Sequence, residues 1–234
     1  MIIDGPGLLQ AEDLQQLKLL NSLTELYVVL GPSFSSSLRY GDAIDSVLAR
    51  HGNSMQNLTL GRFEEVDIER IALHCRHLES MVFEQNLNYR WSDGAAKLQP
   101  LHSLRKLHIK VRDQDSVSRT RSMQLRDVAP WNLADVVASP QLRELKVTAC
   151  LTLDDVIFAC GGGVSPLLRT VELESCPNVS IDGLWHVLRR SECLSTLKIF
   201  RCGSISEMDV DSIRAQSVAN CWDLHIDYYK DSDA

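Results

Sequence analysis

Apolar residues recur along the chain in a short pattern, apolar-x-x-apolar-x-apolar, that occurs eight times. The end of the pattern alternates apolar and polar residues, which is typical of a short strand with one buried face. The central apolar residues of the eight copies are Leu26, Leu58, Met81, Leu107, Leu145, Val171, Leu197 and Leu224. They are separated by 32, 23, 26, 38, 26, 26 and 27 residues, and a period sustained near 26 indicates a repeat architecture.

The segments between these predicted strands have the periodicity of helices. Apolar residues fall on one helical face in 66–75 and again in 181–190. Ser206 followed by Asp209 predicts the capped start of a further helix. One strand and one helix in each 26-residue unit predict a parallel α/β solenoid, in which a unit buries its apolar face only against its neighbours.

Cysteines are placed in phase with this repeat. Cys150, Cys176 and Cys202 each lie three residues after the last apolar position of a predicted strand, and Asn86 holds the same place in an earlier copy. The pattern L-x-x-L-x-L-x-x-N/C is the leucine-rich repeat signature. Residues 142–226 resemble the cysteine-containing leucine-rich repeats of F-box/LRR proteins, whose pattern reads C-x-x-L-T-D-x-G-L. The residues that match it are Cys176, Val179, Ser180, Asp182, Gly183 and Leu184.

These observations predict an α/β fold, namely a leucine-rich repeat solenoid shaped as a horseshoe. A parallel β-sheet is expected on its concave face and helices on its convex face. Residues 1–22 are predicted to form an N-terminal helix that serves as a partial cap. Residues 23–229 are predicted to form the repeat domain, with about eight repeats and an insertion near 110–141, and residues 230–234 a polar tail.

The resemblance implies the substrate-binding domain of an adaptor for cullin-type ubiquitin ligases. In that family an F-box docks to the ligase and the repeats hold the substrate. Residues 1–22 do not match an F-box, so contact with cullin-ligase subunits would depend on an F-box outside this sequence. The alternative is a leucine-rich repeat scaffold or inhibitor that binds a protein partner stoichiometrically without a ligase.

The side chains between the apolar strand positions are expected to point to the concave surface. Because parallel neighbours lie one repeat apart, Lys146, Glu172 and Lys198 are predicted to form a ladder of alternating charge. This ladder is interpreted either as cross-strand pairing that stabilises the sheet or as a docking strip for a partner. The partner-binding candidates on this surface are Tyr27, His108, Lys146, Glu172, Lys198 and His225.

The long 38-residue step contains a basic segment. Residues 105–126 include seven basic and two acidic side chains, and insertions in repeat proteins often map to the binding face. Two interpretations stay open, a solvated loop or a contact for an acidic partner. The absence of aromatic residues among these basic ones disfavours nucleic acid. The partner-binding candidates in this segment are Lys110, Arg112, Arg119 and Arg121.

Composition narrows the function class. The chain has 24 Lys and Arg against 31 Asp and Glu, a net charge of −7 that argues against nucleic-acid binding. No apolar stretch approaches the roughly 20 residues of a membrane span. Its seven cysteines include no C-x-x-C pair, so we predict no metal site, and their phasing with the repeat indicates reduced thiols in the cytoplasm or nucleus. No catalytic motif is present, so we predict a monomeric binding protein without a cofactor or enzymatic activity.

Overall fold

The computed structural model describes residues 2–4, 14–30, 41, 44–63, 65–86, 88–90, 101–111, 130–151, 153–159 and 163–230. The strands in these ranges are β1 (Ile2–Asp4), β2 (Glu25–Val29), β3 (Asn57–Gly61), β4 (Glu65–Asp67), β5 (Ser80–Asn86), β6 (Asn88–Arg90), β7 (Lys106–Val111), β8 (Glu144–Thr148), β9 (Thr170–Glu174), β10 (Thr196–Phe200) and β11 (His225–Tyr229). The helices are α1 (Asp45–His51), α2 (Ile68–His74), α3 (Pro130–Val137), α4 (Asp155–Ala159), α5 (Ile181–Arg190) and α6 (Glu207–Ala219), with 3-10 helices at Gln16–Leu19 and Gly52–Ser54.

Nine of these strands form one all-parallel sheet whose spatial order follows the chain, β1-β2-β3-β5-β7-β8-β9-β10-β11. Strands β4 and β6 pair separately as a small parallel sheet. The α/β class with a parallel sheet is therefore confirmed. Helices connect most neighbouring strands, because a parallel pair requires a crossover connection.

The sheet register follows the 26-residue period. The central apolar residues pair in sequence from Leu26 through Leu107 and Leu145 to Leu197. Their side chains and those of the inner helix faces join one buried core between the sheet and the helices. Phe63, Phe83 and Phe158 are among its largest fully buried side chains, and burial of each contributes about 3 kcal/mol or less.

The last strand differs from its predicted register by two residues. Leu197 pairs with Ile226 rather than with Leu224, so His225 lies beside Thr196 and Asp227 lies beside Lys198. A shift of two residues keeps the same side chains facing the core, which is why the apolar pattern alone did not distinguish the two registers.

The N-terminal region also differs from its prediction as a helix. Residues Ile2–Asp4 form a strand that pairs in parallel with β2, and the helical part of 14–22 includes a 3-10 helix of four residues, Gln16–Leu19. Leu14 and Leu17 are nevertheless buried, so this segment covers the core at that end. Short strands are readily added at a sheet edge because the edge leaves backbone groups unpaired. The helical periodicity of the sequence gives no indication of such an added strand.

The predicted insertion near 110–141 contains a regular helix. Helix α3 packs beside α4, which in turn packs beside α5, so α3 belongs to the helix layer of the repeats. Residues 112–129 lie outside the described residues. Among the described residues, no helix has both the length and the apolar character that crossing a membrane requires.

The chain leaves several strands through the same turn. A non-glycine residue with φ between 52° and 62° stands there in five units, and this left-handed conformation costs about 1–2 kcal/mol. Four of these residues donate their N–H to the end of the next strand, which offsets part of that cost. The five residues are Arg62, Gln85, Ala149, Ser175 and Arg201.

A buried polar side chain follows this turn and links neighbouring units. The Asn86 amide donates to the Leu60 carbonyl over 3.0 Å. The Cys176 thiol makes the equivalent bond to the Val147 carbonyl, at 3.6 Å, and Cys202 repeats it one unit later. At three of the phased positions, Asn86, Cys176 and Cys202, the side chain therefore acts as an inter-repeat hydrogen-bond donor.

Candidate functional site

The broad surface available for contact is the side of the sheet opposite the core. We define the open face as the first, third and fifth side chains of strands β2, β3, β5 and β7 to β11. These side chains are mostly half-buried or exposed, whereas the second and fourth side chains of strands such as β9 and β10 are buried. Alternation along each strand places them on one face because successive side chains point to opposite sides.

Five of the six predicted concave-face residues occupy the central row of this face. The sixth, His225, lies on the same face but in the first row, and Asp227 takes the central place that was predicted for it. The central row reads Tyr27, Thr59, Val82, His108, Lys146, Glu172, Lys198 and Asp227.

The predicted ladder of alternating charge has the expected register but uneven pairing. Lys146 Nζ forms an ion pair with Glu172, whose side chain is only 19% exposed. Lys198 lies on the other side of Glu172 and forms no ion pair with any described residue. Cross-strand stabilisation therefore accounts for Lys146 and Glu172, while Lys198 keeps its charge available.

His108 contacts the Glu144 carboxylate and has two lysines, Lys106 and Lys146, nearby. Its Nε2 lies 2.6 Å from Glu144 Oε1, and Lys106 Nζ lies 3.7 Å from the same oxygen. Partial burial lowers the pKa of His108 below its ordinary value of 6.5; Glu144 raises it, whereas Lys106 and Lys146 lower it further. The imidazole is therefore mainly neutral at pH 7, and Glu144 is occupied by internal contacts.

Of the four partner-binding candidates in the basic insertion, only Lys110 lies within the described residues. Lys110 is exposed at the fifth position of β7 and makes no ion pair within the described part of the chain. Its neighbours along the row are Glu84 on β5 and Thr148 on β8. Arg112, Arg119 and Arg121 lie outside the described residues.

An arginine column adjoins the open face; it consists of Arg105, Arg143 and Arg169. It was not predicted from the sequence. Arg143 donates its backbone N–H to the Arg105 carbonyl, and Arg169 donates to the Arg143 carbonyl, both over 2.8 Å. All three side chains are exposed, and Arg105 contacts Glu79 at 3.4 Å. The available signal was an arginine at the second position of three successive copies of the pattern.

No protein-family model matches the chain, and no curated protein matches it.

The phased cysteines belong to the interior. Cys75, Cys150, Cys176 and Cys202 are buried, whereas Cys193 and Cys221 are exposed. Burial raises the pKa of Cys75 to about 12, and a hydrogen bond with Cys202 together with burial raises the pKa of Cys176. The thiols of Cys75 and Cys176, held in this protonated state, are poor nucleophiles and poor metal ligands, so their role here is structural.

Proposed function

We propose that the chain is a protein-recognition module of the leucine-rich repeat type, with the open face on the concave side of a horseshoe. Three features support this proposal: the parallel strand order, the 26-residue period and the Asn or Cys donor after the strand. Repeat stacks of this kind present an extended surface to a partner. The observation that carries the proposal is the continuous open face of eight strands, which retains charges not used in internal pairs.

Within this class we propose the role of a substrate-binding domain resembling those of F-box/LRR adaptors of cullin-type ubiquitin ligases. The residues that match the family pattern have local structural roles, which supports the resemblance. Ser180 accepts from the Asp182 N–H at the start of α5, and both its N–H and its hydroxyl donate to the Asp155 carboxylate in the preceding unit. Gly183 leaves room for that carboxylate, because a Cβ at this position would displace it.

The remaining elements of the proposal follow from this role. The partner is a ubiquitination substrate, and contact with the ligase subunits depends on an F-box. The adaptor is a monomer that acts in the cytoplasm or nucleus, uses no cofactor and performs no catalysis itself.

The open face can be tested by comparing the proteins that the tagged full chain and its variants retain from cells. Val82→Arg adds a large side chain to the part of the central row that carries no charged residue, and Lys198→Glu reverses a cation in the charged part of that row. Arg189→Glu changes an exposed residue at the end of α5 and serves as the control. We expect a stoichiometric partner that Arg189→Glu retains and at least one open-face variant loses. A partner retained equally by all three folded variants would contradict recognition through this face.

The ligase role can be tested with the same proteins retained from cells by the tagged chain. Cullin-ligase subunits are expected to co-purify with the full-length product, and removal of the protein is expected to reduce ubiquitin conjugation of the partner. A specific partner recovered without cullin subunits would contradict the adaptor role and leave the scaffold or inhibitor alternative.

A further inference from the structure

Basic side chains are concentrated on four adjacent strands of an otherwise acidic protein. Strands β7 to β10, each taken with the residue before it, contain seven basic and three acidic residues, whereas the chain as a whole has 24 and 31. All seven basic side chains are half-buried or exposed. We call these seven residues the basic patch: Arg105, Lys106, Lys110, Arg143, Lys146, Arg169 and Lys198.

The three carboxylates in this area are all engaged by neighbouring side chains. Glu144 contacts His108 and Lys106, and Glu172 is paired with Lys146. Glu174 forms an ion pair with Arg201. The negative charges within the four strands are therefore already compensated.

Four cations of the basic patch are not compensated in this way. Within the described residues no ion pair is formed by Lys110, Arg143, Arg169 or Lys198. Carboxylates also face the patch from the flanking strands. Glu84 lies beside Lys110 without an ion pair, and Asp227 beside Lys198 is itself 3.0 Å from His225.

We propose that the basic patch binds an acidic, extended segment of a protein partner. This inference rests on the proposed function of the open face as a recognition surface and adds the chemistry of its ligand. Arginine guanidinium groups present forked donors that match carboxylates, so Arg143 and Arg169 supply directional contacts while Lys110 and Lys198 supply point charges.

The spacing of the strands fits a short peptide. Neighbouring strands lie about 4.8 Å apart, so β7 to β10 span about 14 Å. An extended peptide advances about 3.3–3.6 Å per residue and crosses this distance with about four or five residues. Arg143 and Arg169 lie in neighbouring units just before β8 and β9, so two acidic side chains of such a segment are enough to reach both.

The mixed charge of the surface favours a peptide over nucleic acid. Glu144, Glu172 and Glu174 separate the uncompensated cations from one another, and this spacing suits the few charges of a peptide better than a continuous phosphate backbone. On these four strands the one aromatic residue is Phe200, so the face lacks the series of stacking side chains typical of single-strand binding.

The proposal can be tested by fluorescence anisotropy with the full chain and a labelled (Glu-Ser)4 peptide at low salt. The comparison ligands are (Gln-Ser)4 and a single-stranded oligonucleotide of equal charge. Arg143→Glu/Arg169→Glu reverses the patch, and Arg189→Glu/Arg214→Glu makes the same charge change on exposed helix positions. We expect binding of the acidic peptide that is weakened about tenfold or more by the patch variant and about twofold or less by the helix variant. Added salt should weaken it further.

Other results would overturn the proposal. Equal affinity for the Glu and Gln peptides, or an equal loss in both folded double variants, would exclude a specific acidic-peptide site. Tighter oligonucleotide binding that is lost in the patch variant would assign the patch to nucleic acid instead. A partner that is displaced by Val82→Arg while the acidic peptide fails to bind would leave the proposed function standing and remove only this inference.

Discussion

At the scale of single residues, the surroundings of His108 show how neighbouring side chains on the open face set the protonation state of an imidazole. The side chain has two lysines as neighbours and is partly buried, and both conditions disfavour a positive charge on the imidazole. Glu144 acts in the opposite direction through its hydrogen bond at 2.6 Å. The charge of this residue is thus set by its neighbours and not by its position in the repeat.

Replacing Glu144→Gln is expected to lower the pKa of His108 still further, because the group that favours the charged imidazole is removed while burial and the lysines remain. NMR titration of the His108 ring measures this midpoint. The pKa of His108 in the folded protein lies below the ordinary value of 6.5, so the unfolded chain binds the proton more readily. The free energy of unfolding therefore decreases as the pH falls below 6.5. Glu172→Gln is the control, and an equal shift in both variants, or a higher midpoint in Glu144→Gln, would contradict the assignment.

At the scale of the elements, the turn at the end of five of the strands decides how one unit meets the next. The left-handed residue redirects the chain, and the following Asn or Cys bonds the strand before. Asn86 does more than the cysteines, because its carbonyl oxygen also accepts from the Phe63 N–H over 2.8 Å. This one side chain satisfies two buried backbone groups.

We expect Asn86→Ala to lower the free energy of unfolding by about 2–4 kcal/mol, because it leaves a buried donor and a buried acceptor without partners. Asn86→Cys should cost less, since a thiol at this turn donates to the same kind of carbonyl in two later units. Urea unfolding measures both changes. The exposed hydrogen bond from Asn57 to Glu25 provides the control, and Asn57→Ala should change stability by about 0.5 kcal/mol or less. Similar losses in Asn57→Ala and Asn86→Ala would argue against the inter-repeat role.

At the scale of the whole molecule, stability comes from contact between neighbouring units. The interior strands are paired on both sides, whereas β11 ends the sheet and its apolar side chains are only partly buried. Ile226 and Tyr228 pack on the core from one side, and the Tyr228 hydroxyl donates to the Ile205 carbonyl over 3.0 Å.

Amide hydrogen exchange is expected to be faster in β11 than in β9, because among the described strands β11 has a partner on one side only. Exchange measured by mass spectrometry on peptides covering 225–229 and 170–174 checks this. Both segments have five residues, so the comparison is matched for length. Equal protection of the two strands would show that another part of the protein covers the β11 edge.

Much of the fold could be predicted because its information is local and repeated. The step of 26 residues between Leu145, Val171 and Leu197 correctly predicted their pairing, and the phased thiols correctly marked equivalent turns. The last strand was misplaced because Leu224 and Ile226 both satisfy the apolar pattern. The strand at Ile2–Asp4 was missed because three residues carry no usable periodicity.

The candidate site was predicted in outline and corrected in detail. Alternation along the strands correctly placed Lys146, Glu172 and Lys198 in one row, since the side-chain period of a strand is two. The arginine column was missed because residues just before a strand have no fixed orientation in the pattern. Their alignment became visible only when Arg143 and Arg169 were joined by backbone bonds across neighbouring units.

By itself, the sequence determined the repeat length, the order of the strands and the side chains that face away from the core, because these properties follow from periodic burial along one chain. Tertiary structure alone decided which charges are used internally. Glu172 has a lysine on each side in the same row, yet it forms its ion pair with Lys146 and leaves Lys198 available. Register makes both pairs possible, and only the positions of the side-chain atoms select one of them.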